Sequence, residues 1–339
     1  MEDRGRVAPY HKDAAVEGIQ DQVNVALSGL EDRLTAPFDA PKHAVLLIAG
    51  LPRTGTTLLL QLLIACFEIG YVSNLAARFW LAPYVGLTLA KDLRRRATPG
   101  RRDFASELGA TSGSNGPHEF GFFWNRWFPP GETHASVGEG PESLDFAKLR
   151  KEIAAMEDIA GMPMAFKNPI VFNMHMEKLA EALPTAFFLV CRRDPLFVAQ
   201  SIIESRVKRY GDRSSWLGVK PAEYTWLRSL PPAEQVAGQV VYTQRHMERG
   251  LERLPCQRFL EIEYHDLCRT PEAQLAAIKN AIAGVGTPLK RTGFKPEPFE
   301  PADRIRLDPS DWEALRMALE RFVESRDADC AGSQDAGPG

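Results

Sequence analysis

The hydrophobic pattern is dominated by one unbroken apolar run, Ala44-Val45-Leu46-Leu47-Ile48-Ala49, stopped by Gly50. A strand with one wet face alternates apolar and polar residues, so a continuous run predicts a strand buried on both faces, as in a parallel sheet. Shorter runs at 164–166, 186–191 and 259–262 predict further strands. A helix is expected from about Thr56, directly behind the first strand, and helical periodicity covers about 171–183, 195–209, 233–253, 271–283 and 310–324. This alternation predicts an α/β fold in which a central parallel sheet is flanked by helices through right-handed crossovers. Residues 75–160 interrupt it with helical, Gly-rich sequence and no strand. They are expected to form an insertion over the carboxyl edge of the sheet, where such folds bind ligands. Residues 1–40 are polar and weakly periodic and read as a frayed extension. The last residues, 327–339, read as a disordered tail, which leaves a single domain over 41–326.

Composition narrows the partners. The 339 residues are 44% hydrophobic and 25% charged, a profile that excludes disorder as the main state. Lys plus Arg (41) nearly balance Asp plus Glu (44), so the chain as a whole has no electrostatic drive toward nucleic acid, and any anion site must be local. The longest apolar stretch, 58–67 with Gln61 inside it, is too short for a membrane helix, which needs roughly 18–20 residues. The Met-Glu-Asp-Arg start lacks the apolar core of a secretion signal, which predicts a cytoplasmic protein. Five cysteines without a C-x-x-C pair predict neither a disulfide framework nor a zinc site.

The first strand leads into Gly50-Leu51-Pro52-Arg53-Thr54-Gly55-Thr56-Thr57 and then the apolar Leu58-Leu59-Leu60. Such a loop at a helix N-terminus offers backbone N–H groups, a positive dipole end and the hydroxyls of Thr54, Thr56 and Thr57 to one anion. A nucleotide triphosphatase needs Lys after the second Gly to reach the β and γ phosphates; here that position is Thr56, and the basic residue is Arg53 inside the loop. A second constellation follows the run at 186–191: Arg192-Arg193-Asp194-Pro195, with Ser201 eight residues after Arg193. Pro195 suits a first helical position, and Arg193 and Ser201 can grip one phosphate if it lies beside that helix.

These ordered motifs resemble the sulfotransferases that use 3'-phosphoadenosine 5'-phosphosulfate (PAPS), most closely their bacterial and tyrosylprotein-type branch. Pro52-Arg53-Thr54-Gly55-Thr56-Thr57 resembles the family's 5'-phosphosulfate loop, and Arg193 with Ser201 resembles its 3'-phosphate site. Phe166-Lys167-Asn168-Pro169 is similar to its Lys-bearing strand end, and Glu263-Tyr264-His265-Asp266-Leu267 to a segment whose tyrosine approaches the nucleotide. The resemblance implies the phosphate-loop nucleotide fold and transfer of a sulfuryl group to a hydroxyl, leaving 3'-phosphoadenosine 5'-phosphate (PAP). In these terms Thr54, Gly55, Thr56 and Thr57 bind the 5'-phosphate, while Arg53 and Lys167 hold the sulfuryl oxygens and stabilise developing charge. Arg193, Ser201 and Tyr264 bind the rest of the nucleotide. His265 stands where the family usually has Glu.

Tyrosylprotein-type members carry a basic glutamate after the first helix, but the corresponding Val72-Ser73-Asn74-Leu75 has no acid. The base is therefore sought in His118 and Glu119, read as the first turn of a helix over 117–128. His118 is the first choice, because a helix start keeps an imidazole neutral. Phe120, Phe123, Trp124, Trp127 and Phe128 fall on one face of that helix, read mainly as core and in part as an acceptor pocket. On this basis the expected acceptor is a small-molecule or lipid-like alcohol or phenol. His175 is expected at the surface, and the remaining histidines have no partner at metal-ligand spacing, so no metal site is expected. Two other readings stay open: a small-molecule kinase on the same fold, and a non-catalytic nucleotide-binding protein.

Overall fold

The computed structural model describes residues 5–11, 13–96 and 104–332. Five parallel strands, β1 (Val45–Gly50), β2 (Gly70–Tyr71), β3 (Met164–Lys167), β4 (Ala186–Arg192) and β5 (Phe259–Glu263), form one sheet in the order β2-β3-β1-β4-β5. The apolar run at 44–49 is the central strand, paired on one side with β3 (Ile48 opposite Lys167) and on the other with β4 (Gly50 opposite Cys191). Its side chains divide by parity. Val45, Leu47 and Ala49 enter one core layer and Leu46 and Ile48 the other, which explains why the run does not alternate. The two-residue β2 is too short to show in the hydrophobic pattern.

Thirteen helices are described: α1 (Ala14–Thr35), α2 (Thr56–Cys66), α3 (Pro83–Arg96), α4 (Gly121–Trp127), α5 (Phe146–Ala160), α6 (Val171–Met174), α7 (Met176–Ala182), α8 (Pro195–Tyr210), α9 (Tyr224–Leu227), α10 (Pro232–Glu252), α11 (Tyr264–Arg269), α12 (Pro271–Gly284) and α13 (Pro309–Gly332). Helices α2 and α12 cover one face of the sheet, and α4, α5 and α7 cover the other; α8, α10 and α13 enclose a third apolar cluster. Local chemistry sets the boundaries. Asp194 caps α8 by accepting from the Leu196 N–H, Pro195 occupies its first position, and Gly211 ends it with φ +75°.

Three expectations change. Most of the N-terminal extension, taken as frayed, is the six-turn helix α1, whose buried residues are Asn24, Glu31 and Thr35. The tail expected to be disordered from 327 is helical through Gly332, and 333–339 lie outside the described residues. The expected helix over 171–183 breaks at His175, which is buried against the Phe128 ring at 5.0 Å between centroids, not placed at the surface. Its imidazole is correspondingly pushed down to about 4 by burial.

Candidate active site

All the ordered motifs meet at the carboxyl edge of the sheet. The chain leaves β1 at Gly50 (φ +132°) and enters α2 behind Gly55 (φ +90°), and the loop between them is braced from two sides. From below, Asn173 donates to the Gly50 carbonyl and accepts from the Gly50 N–H, both at 2.8 Å. From above, the Tyr264 ring lies so close to Gly55 that a Cβ there would stand 2.7 Å from Cδ2. Inside the loop the Thr54 hydroxyl donates to the Leu51 carbonyl at 2.7 Å and is almost wholly buried. Thr54 therefore shapes the loop, while Gly55, Thr56 and Thr57 line a cleft of about 290 Å³ together with Arg53, Glu119, Lys167, Arg193 and Tyr264.

Lys167, only 2% exposed, closes β3 beside the loop. Its ammonium donates to Thr57 Oγ1 at 2.8 Å and to the Gly109 carbonyl at 2.9 Å, and pairs with Glu119 Oε1 at 2.8 Å. Neighbouring Asn168 turns inward to accept from the Ile170 and Val171 N–H groups at the entry to α6. His118 and Glu119 lie before α4, in a segment pinned to the end of β2 by the His118 N–H to Val72 carbonyl bond at 2.9 Å. They are not its first turn. His118 Nδ1 accepts the Phe120 N–H at 2.8 Å, which puts the proton of the neutral ring on Nε2. Desolvation by the surrounding chain, rather than a helix end, is the main cause that lowers its pKa, although the residue keeps contact with solvent. The aromatic face of α4 is core: Phe120, Phe123, Trp124, Trp127 and Phe128 are all buried in the layer behind the sheet.

Arg53 sits with the second constellation. Its backbone is left-handed at φ +75°, its Nε donates to Ser201 Oγ at 2.9 Å, and its carbonyl accepts from Arg193 at 2.6 Å. Burial, and then the Arg193 charge, lower its pKa. Arg193 lies over the Tyr264 ring at 4.4 Å and is ion-paired with Asp303, whose second oxygen meets His265 Nε2 at 2.6 Å. Asn173, Gly109 and Asp303 carry no motif in sequence. They come to the site through chain crossings that only the fold reveals. Among the described residues no cluster of His, Cys, Asp and Glu is arranged to hold a metal ion, and no helix is long and apolar enough to cross a membrane.

A five-stranded parallel sheet with a glycine-flanked loop at the end of its central strand, met by basic residues at the ends of the two adjoining strands, is the architecture of a phosphate-loop α/β protein. Residues 46–284 match the sequence model of the sulfotransferase family, and the chain belongs to that family. Two solved structures share the fold. Sulfotransferase STF1 from Mycobacterium tuberculosis H37Rv superposes with a TM-score of 0.52 at 13% identity, over 88% of this chain and 81% of that one. Sulfotransferase STF9 from Mycobacterium avium does so with a TM-score of 0.51 at 18% identity, over 88% and 72%. No curated protein matches the sequence significantly.

Proposed function

We propose that the protein moves a sulfuryl group from PAPS to the hydroxyl of a small acceptor, with Glu119 as the general base. The observation that carries this reading is the meeting of Lys167, Thr57 and Glu119 at the mouth of the phosphate loop, in the cleft that also holds Arg53 and Arg193. The residues present fit the donor, since Gly55 has no room for a side chain and the N-terminus of α2 and three cations face one cleft. When bound, PAPS supplies the activated sulfuryl group. Gly55, Thr56 and Thr57 would hold its 5'-phosphate and Arg193, with Arg53 and Ser201, its 3'-phosphate. Lys167 would stabilise charge that grows on the leaving oxygen. Arg53, by its bond to Ser201, joins the 3'-phosphate group rather than the sulfuryl site.

The base passes from His118 to Glu119 for a geometric reason. His118 spends Nδ1 on the backbone and keeps a donor on its other nitrogen, whereas Glu119 lines the cleft as a partly exposed acceptor within reach of Lys167. Asn74, where tyrosylprotein-type members have their acid, braces the neighbouring loop by donating to the Thr111 and Gly113 carbonyls. Leu108 and Pro169 lie in the same cleft, which favours an acceptor with an apolar body next to its hydroxyl.

Thermal melts with PAP and AMP test the donor. At about 100 times its dissociation constant PAP should add roughly 2.7 kcal/mol of stability, and AMP much less at the same concentration; equal shifts would remove the 3'-phosphate site. Glu119→Gln should cost about 10² to 10⁴ in turnover with PAP affinity retained. His118→Ala should be far milder, and a dead His118 variant beside an active Glu119 variant would return the role to the imidazole.

A further inference from the structure

The guanidinium of Arg193 is engaged on nearly every edge by the protein itself. Nε donates to Asp303 Oδ1 at 2.7 Å, one amino group donates to both Asp303 Oδ1 and the Ala302 carbonyl, and the other donates to the Arg53 carbonyl at 2.6 Å. An arginine has five N–H donors in a rigid fork, so these bonds use four of them. A phosphate gripped by two parallel N–H bonds needs an edge of the fork that Asp303 now holds. Arg193 and Asp303 are each only 6% exposed, so little water screens the pair.

Asp303 arrives on a strap, 299–307, with neither helix nor strand in it. The strap is tied at its two ends: Phe299 donates to the Cys268 carbonyl, while Gln200 accepts from the Arg306 and Leu307 N–H groups and donates to the Arg304 carbonyl. In the middle it is held by side chains alone, through Arg193, His265 and the Tyr264 hydroxyl, which accepts from the Ala302 N–H at 3.1 Å. The middle can therefore lift without breaking a regular element.

We propose that Asp303 is an internal competitor for the phosphate edge of Arg193, which limits how long a 3'-phosphate stays there. This rests on the reading of Arg193 as a 3'-phosphate ligand. A carboxylate and a phosphate dianion cannot share one guanidinium edge, so a bisphosphate binds only the fraction of molecules whose strap has released Arg193, and its affinity is reduced by that fraction. Return of Asp303 then displaces the spent nucleotide, which keeps its 3'-phosphate after the sulfuryl group has gone. A nucleotide without a 3'-phosphate makes no demand on this edge and is unaffected.

Titration calorimetry and stopped-flow displacement of PAP and AMP from the full chain test the proposal, using the wild type, Asp303→Asn and His265→Gln. An amide competes poorly with a phosphate for a cation, so Asp303→Asn should bind PAP about tenfold more tightly, with slower release and unchanged AMP affinity. His265→Gln, at a half-exposed position, removes the second anchor of Asp303 and should tighten PAP in the same direction to a smaller degree. Unchanged PAP affinity in both variants overturns the proposal, and weaker binding overturns it by making Asp303 a positioning residue for Arg193. Failure of the parent reading is visible as PAP binding no better than AMP in the wild type and in Asp303→Asn alike, and would take the proposal with it; a preference for PAP that appears only in Asp303→Asn supports both.

Discussion

Gly55 is a position at which the phosphate loop tolerates nothing else. Its φ of +90° costs an L-residue about 1–2 kcal/mol, and any Cβ meets the Tyr264 ring. Gly55→Ala should therefore lose at least that much stability in urea denaturation and also weaken PAP binding. Gly29→Ala on α1, where an added Cβ meets no atom within 4 Å, should instead gain about 0.5–1 kcal/mol. At this scale the sequence was partly legible. Spacing located Gly55, Thr57 and Arg193, and the family resemblance located Lys167 and Tyr264; each stands at the end of a strand or the start of a helix, where the alternation itself points. It gave no indication that Thr54 turns inward or that Arg53 reaches for Ser201, since side-chain direction in a strained loop has no period. Asp303 could not be found at all, as nothing in a polar, Pro-rich stretch distinguishes one acid from the next.

Helix α1 inverts the usual rule for a surface helix. Its contacts with the body are polar, with Asn24 donating to the Arg78 carbonyl and Glu31 accepting from the Tyr84 and Val85 N–H groups at the start of α3, while Val16, Ile19 and Val25 face outward. A search for an apolar face therefore missed it, whereas α2 and α10, which bury aliphatic rows, were plain. The inversion has a pH consequence. Burial, opposed by the two N–H bonds, pushes the Glu31 carboxyl up to about 7 from an ordinary value of 4.5. The folded state holds a proton that the unfolded chain has already released, so Glu31 contributes most below about pH 4.5, and its contribution is lost as pH rises through about 7. Glu31→Gln should flatten this part of the stability profile and make the protein more stable than the wild type at pH 8. A profile of unchanged slope between pH 5 and 7 would place the titration elsewhere.

For the molecule as a whole, strand order was beyond the reach of the hydrophobic pattern, which shows that strands are buried but not which neighbour each one takes. The order found puts β1 in the centre, with Val45 paired to Ala186, about 140 positions later. This pairing sets a timetable for synthesis. At translation speeds of roughly 5–20 residues per second, the central strand, every side chain of which is buried in the finished protein, waits on the order of 7–30 s on the ribosome for β4. Until β3 and then β4 emerge to pair with it, it is an apolar segment open to chaperones or to its neighbours on a polysome. Ribosome-stalled chains that have not yet exposed β4 should be cleaved readily around 45–50, and chains that have exposed β5 should resist.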